Sequence, residues 1–115
     1  MNARDDSALG QFWAEALGWS VSSEEPGVTN LEPVGFTYPD PTAVCIDILA
    51  VPEPKTVKNG VHLDLRPYPD DDQAAEVARL RALGATDIDV GQGDDVPWTC
   101  LADPEGNEFD VLTPL

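Results

Sequence analysis

Between Val61 and Arg66 the sequence alternates, with Val61, Leu63 and Leu65 on one face of an extended segment and His62, Asp64 and Arg66 on the other. An imidazole that titrates near neutrality, a carboxylate and a guanidinium pointing the same way could line a pocket for a polar ligand. The same alternation is also the ordinary solvated face of an antiparallel strand, and periodicity alone favours that plainer reading. Trp98, at the start of an extended run after Val96-Pro97, could wall such a pocket. Cys45 and Cys100 sit in apolar, β-like stretches with no C-x-x-C or Cys/His metal spacing, so both are expected to be reduced, buried and hydrophobic in role. Asp70-Asp71-Asp72 precedes a helical pattern and reads as a cap in a favourable dipole position. Glu105 and Glu108 read as turn and surface. No glycine-rich phosphate loop, Ser-His-Asp order or basic patch stands out.

Charge narrows the partners. Six Lys plus Arg against 22 Asp plus Glu give a net −16. That excludes nucleic acid, whose affinity comes from basic side chains displacing counterions, and it disfavours anionic membrane surfaces. The acidity suits a cationic ligand, a high-salt habitat or a solubilising surface, the last being the default. There is no apolar run of membrane-spanning length, and the opening Met1-Asn2-Ala3-Arg4-Asp5-Asp6 lacks signal-peptide order, so a cytoplasmic protein is expected. A chain of 115 residues fits one domain that buries about two thirds of its unfolded surface.

The elements that must position these residues follow from pattern. Leu9, Phe12, Trp13, Ala16 and Leu17 share one face of a helix over about 7–17, with Asp5, Asp6 and Ser7 available at its start and Gly18 at its end. β-like runs follow at about 19–23, 29–38 (interrupted by Pro33) and 43–49, the last two separated by the turn Pro39-Asp40-Pro41. The segment 51–60 is a connector. Beyond it come a strand at 61–66, a helix at about 73–83 with Ala74, Val77, Leu80 and Leu83 facing inward, and strands near 85–90, 98–102 and 108–112. Asp103-Pro104-Glu105-Gly106 has the residue order of a type I turn between the last two.

The halves look like copies, module one at about 1–50 and module two at about 61–115. Ala16-Leu17-Gly18 recurs as Ala82-Leu83-Gly84, an offset of 66 between helix ends. Carried back from strand 61–66, that offset places module one's opening strand before Met1. The expectation is a duplicated βαβββ unit whose first strand is truncated or absent.

The helix Ala8–Trp19, the junction Val51–Leu65 and the segment Asp103–Leu112 together resemble a glyoxalase-like domain of the vicinal oxygen chelate superfamily, which also holds glyoxalase I, extradiol dioxygenases and bleomycin resistance proteins. The resemblance spans the whole chain. It implies an α+β fold in which two βαβββ modules form a curved mixed sheet, a half-barrel around a pocket, with Val61, Leu63 and Leu65 under the helices and His62, Asp64 and Arg66 toward the cavity. It implies metal ligands on the first and last strands of both modules. His62 matches one such position and Asp110 another, where the metal enzymes usually carry Glu. Module one offers Leu49 where a ligand is needed, with Asp47 of the same strand parity able to compensate if the register shifts by two.

With His62 and Asp110 alone, a tight site for Zn, Ni, Fe or Mn is not expected, since useful affinity generally takes three protein ligands. No cofactor is therefore the primary expectation. The expected function is binding of a small molecule, the acidity favouring a cationic one, with Asp47, Asp64, Arg66, Trp98 and Asp110 as ligand contacts. The alternative is a metal-dependent or metal-free lyase, isomerase or dioxygenase using His62 as general base beside a carboxylate. A missing first strand would leave a sheet edge unpaired, which predicts a homodimer.

Overall fold

The computed structural model describes the backbone of all 115 residues and every side chain except those of Ser23 and Glu24. It divides into two compact units, Met1–Pro54 and Lys55–Leu115. Unit one contains β1 (Asn2–Ala3), α1 (Asp6–Leu17), β2 (Ser20–Glu25), β3 (Val28–Glu32) and β4 (Ile46–Ala50). Unit two contains β5 (Leu63–Leu65), α2 (Gln73–Leu83), β6 (Thr86–Asp87), β7 (Thr99–Ala102) and β8 (Glu108–Val111). The sheets run β1-β4-β3-β2 and β5-β8-β7-β6. In each, the first strand lies parallel to the last and the other pairs are antiparallel. The duplication read from the sequence is thus a duplication of topology, two α+β units of βαβββ form.

In unit one, Asp5 caps α1 by accepting from the Ala8 N–H at 2.9 Å, and Gly18 ends it at φ 67°, a conformation that favours glycine. Leu9, Phe12, Trp13 and Ala16 are buried, with Phe12 and Trp13 edge to face at 5.3 Å. Gly10 lets the helix approach the sheet closely, because a Cβ there would overlap the Thr29 methyl of β3. Thr29 is fully buried, and its hydroxyl is satisfied by donating to Asp6 Oδ2 at 2.8 Å.

In unit two, Asp72 caps α2 through the Ala75 N–H. Val77 and Leu80 are buried, but Ala74 is exposed and Leu83 only half-buried, a narrower inward stripe than the one expected. Leu101, Phe109 and Val111 are fully buried. Gln73 ties the helix start to the sheet by donating to the Val111 and Pro97 carbonyls.

Several expectations are corrected. The opening strand of unit one, expected truncated or absent, is present in shortened form, and what is corrected is its placement before Met1: only Arg4 and Asp5 separate β1 from α1, whereas Arg66–Asp72 separate β5 from α2, so the offset of 66 fails across that loop. Asn2 and Ala3 pair with Leu49 and Ala50, so the sheet edge is covered over those residues. The run expected to Tyr38 stops at Glu32, before Pro33, which has no N–H for a ladder. The strand expected over 61–66 shortens to Leu63–Leu65, leaving Val61 outside it and 73% exposed rather than under a helix. Cys45 is exposed, because β4 begins one residue later, while Cys100 is buried as expected. Among the described residues no helix is long and apolar enough to cross a membrane.

Candidate functional site

The register of unit two assembles a polar row. Asp64 of β5 pairs with Asp110 of β8, and Asp110 pairs with Cys100 of β7. Side chains alternate along a strand, so these three lie on one face while Leu63, Leu65, Leu101, Phe109 and Val111 lie on the other. His62, two residues before Asp64, completes the group. Its Nε2 is 3.1 Å from Asp110 Oδ2, with 33% of the imidazole and 14% of the carboxylate exposed. One donor atom each from His62, Asp64 and Asp110 lies within 4.8 Å of the others.

The second oxygen of Asp110 is also engaged. Cys100 Sγ donates to Oδ1 at 2.6 Å. Burial and then the hydrogen bond and charge of Asp110 push the thiol up to about 12, while Trp98 and the charge of Lys58 act in the opposite sense. The Trp98 contribution is a side-chain hydrogen bond, in which the indole N–H can only donate. Trp98, Cys100, Asp110 and His62 therefore form a continuous polar line across β7, β8 and the residue leading into β5.

A second network fixes the two ends of this line. Glu108, expected at the surface, is instead buried: its side chain is 6% exposed, and Lys55 Nζ donates to Oε1 at 2.7 Å. The Asn59 N–H donates to Oε2, and Asn59 Nδ2 donates to Asn107 Oδ1 at 2.8 Å. Burial alone would raise the Glu108 carboxyl, but the Lys55 bond and backbone N–H groups outweigh it and hold the group below its ordinary value. Asp103, 2% exposed, organises the turn by accepting from the N–H groups of Glu105 and Asn107 and from the Asn107 amide. The connector residues Lys55 and Asn59 are thus latched to the start of β8, two residues from Asp110.

Of the residues singled out in the sequence, His62, Asp64, Asp110 and Trp98 come together in unit two. Arg66 does not join them; its guanidinium donates to the Thr113 carbonyl, tying the residues after β5 to those after β8. Asp47 lies on β4 in unit one, where its Oδ1 accepts from Asn30 Nδ2 at 2.6 Å across β3. Leu49 lies opposite Asn2 and is 44% exposed. One feature escaped the sequence reading, Cys100 as the partner of Asp110; Asp64, expected as a ligand contact, also converges as a third donor beside the two expected metal ligands. Counting inward from the Asp103–Asn107 turn gives Ala102 opposite Glu108 and then Cys100 opposite Asp110, so the hairpin register was the available signal.

A family model described as a glyoxalase-like domain matches residues 1–112. No curated protein matches. Among solved structures, an enzyme of the glyoxalase/bleomycin resistance protein/dioxygenase family from Burkholderia phytofirmans PsJN is 22% identical, with a TM-score of 0.70 over 100% of this chain and 94% of its own. A bleomycin resistance determinant encoded on the transposon Tn5 is 17% identical, with a TM-score of 0.60 over 99% and 92%. An antibiotic-binding protein, TnmS3 from Streptomyces sp. CB03234, is 20% identical, with a TM-score of 0.59 over 100% and 93%. These likenesses establish a shared fold, and the match over nearly the whole chain places it in a family: it belongs to the glyoxalase-like domain family.

Proposed function

We propose that this chain binds a small molecule carrying a cationic group, which the face formed by His62, Asp64 and Asp110 receives. The observation that carries this reading is the convergence of two carboxylates and one imidazole on one sheet face, in a protein of net charge −16 whose field attracts cations. Trp98, half-buried at the end of the same line, offers an aromatic surface beside the charges. Fold neighbours that include a bleomycin resistance determinant and an antibiotic-binding protein support a small-molecule role.

A thermal-shift and calorimetric screen of size-matched cationic, neutral and anionic compounds, bleomycin among them, tests it. Cationic members should bind selectively, and Asp64→Asn with Asp110→Asn should remove binding while leaving the fold intact. Equal binding of neutral or anionic members, or binding unchanged in the double variant, would overturn it.

The same convergence supports a second reading. One imidazole nitrogen and two carboxylate oxygens suit Mn, Fe, Ni or Zn and leave coordination positions for substrate. Three donors also exceed the two secured from sequence. A bound divalent ion would supply Lewis-acid polarisation of substrate oxygens, with His62, Asp64 and Asp110 holding it. Metal analysis of protein purified without chelators separates the readings, since stoichiometric metal lost in His62→Ala favours the second. A metal-free enzyme using His62 as general base is the remaining alternative. Within the first reading the chain is a cytoplasmic homodimer, the two-residue β1 being too short to cover its sheet edge fully. A monomeric mass by light scattering at micromolar concentration would remove the dimer.

A further inference from the structure

Each oxygen of Asp110 has its own neighbour. Oδ1 accepts from the Cys100 thiol at 2.6 Å, and Oδ2 faces His62 Nε2 at 3.1 Å. The terminal torsion of an aspartate is broad, so an unrestrained carboxylate would swing its plane over a range of angles relative to the imidazole. Cys100 is in a position to prevent this. It lies directly opposite Asp110 in the β7–β8 register and is 4% exposed. A buried thiol is more often a small hydrophobe than a polar partner. Here its sulfur points at a carboxylate that a valine or alanine would leave without that donor.

We propose that Cys100 is a positioning residue: its thiol engages one oxygen of the Asp110 carboxylate and so fixes the carboxylate plane, with the other oxygen turned toward His62 and toward a bound ligand. The consequence for binding rests on the reading of this face as a ligand site, but the orientation is measurable with no ligand present. Asp110 would then act as a one-oxygen contact, the other oxygen being occupied from within the sheet. Such fixation favours ligand binding because less freedom is lost when the complex forms.

The chain has one histidine, so the two ring nitrogens of His62 give an unambiguous 15N NMR signature. In its neutral form the wild-type imidazole should hold its proton on Nε2, facing Asp110. Cys100→Ser, which keeps a donor, should preserve that pattern. Cys100→Val should move both nitrogens toward tautomer averaging, as should Asp110→Ala, which removes the acceptor. Should the valine variant not fold, Cys100→Ala replaces it.

Infrared spectroscopy gives a second readout that a packing role would not move. In a Cys45→Ser background the remaining S–H stretch should be broadened and red-shifted, and Asp110→Asn should shift it back. An S–H band at the free-thiol position, or identical His62 signals in wild type and a folded Cys100→Val, overturns the proposal. Both readouts are ligand-free, so a failed compound screen would count against the binding reading alone.

Discussion

Replacing Lys55 by Met isolates the latch between the connector and β8. The lysine is 18% exposed and its partner Glu108 6%, at a separation of 2.7 Å, so the pair is largely shielded from water. Removing one partner of a buried pair costs about 3–5 kcal/mol, because the remaining charge is left uncompensated. Glu108 keeps the Asn59 N–H and Lys55 is not fully buried, which places the expected loss just below that range, at about 2.5 kcal/mol. At roughly 2.1 cal/mol/K per residue, unfolding of this chain carries about 0.24 kcal/mol/K of entropy, so Tm should fall by about 10 °C.

The pH dependence gives the sign. Glu108 is held below its ordinary value in the folded protein, so its contribution is fully present above the unfolded carboxylate value near 4.5 and is lost as pH falls through the lower folded value. In Lys55→Met that acid-side dependence should flatten or reverse, since burial without the lysine raises the carboxyl. Denaturant unfolding at neutral pH and across the acid range, together with the pair Lys55→Met/Glu108→Leu, completes a double-mutant cycle. A loss below about 0.5 kcal/mol, the range of exposed pairs, or a double variant equal to the sum of the singles, would refute the claim that the two groups depend on each other.

Two further outcomes follow from packing and burial. Gly10→Ala should destabilise by about 1–3 kcal/mol, the range for overpacked cores, because the new methyl meets the buried Thr29 methyl; urea unfolding measures it, and a neutral effect would mean that α1 can lift off β3 at little cost. Under native conditions a thiol reagent should titrate Cys45 quickly and Cys100 only on unfolding, and two fast equivalents would show that Cys100 is open to solvent.

The local patterns that were legible are those in which one residue type decides the outcome. The apolar stripe Leu9, Phe12, Trp13 and Ala16 fixes α1, glycine at 18 and 84 ends both helices, and the repeat of Ala-Leu-Gly exposes the duplication. Strand lengths were less legible, because short runs such as Thr86–Asp87 are defined by pairing across the sheet rather than by their own sequence. The first strand of unit one was misplaced by arithmetic carried across a loop, and loop length is the property two copies of a unit conserve least. Glu108 was misread because a glutamate beside a turn is ordinarily solvated, and only the return of Lys55 from a distant part of the sequence lets it be buried.

The candidate site shows the same division. His62 and Asp64 announce themselves by alternation, but alternation cannot tell a functional face from a solvated one. What separates the two is the neighbouring strand: a lone His-x-Asp would be solvent-facing, whereas Asp110 placed beside Asp64 and anchored by Cys100 turns two scattered acids and an imidazole into a concentrated anionic face. Like charges in adjacent register are destabilising unless something compensates them. Within the described residues of this site the compensation comes from His62 and the Cys100 donor, with Lys58 contributing charge nearby. A bound cation would supply the rest, so Asp64→Asn should stabilise the free protein while weakening cationic ligands; a variant that loses both stability and binding would mean that Asp64 serves the fold instead.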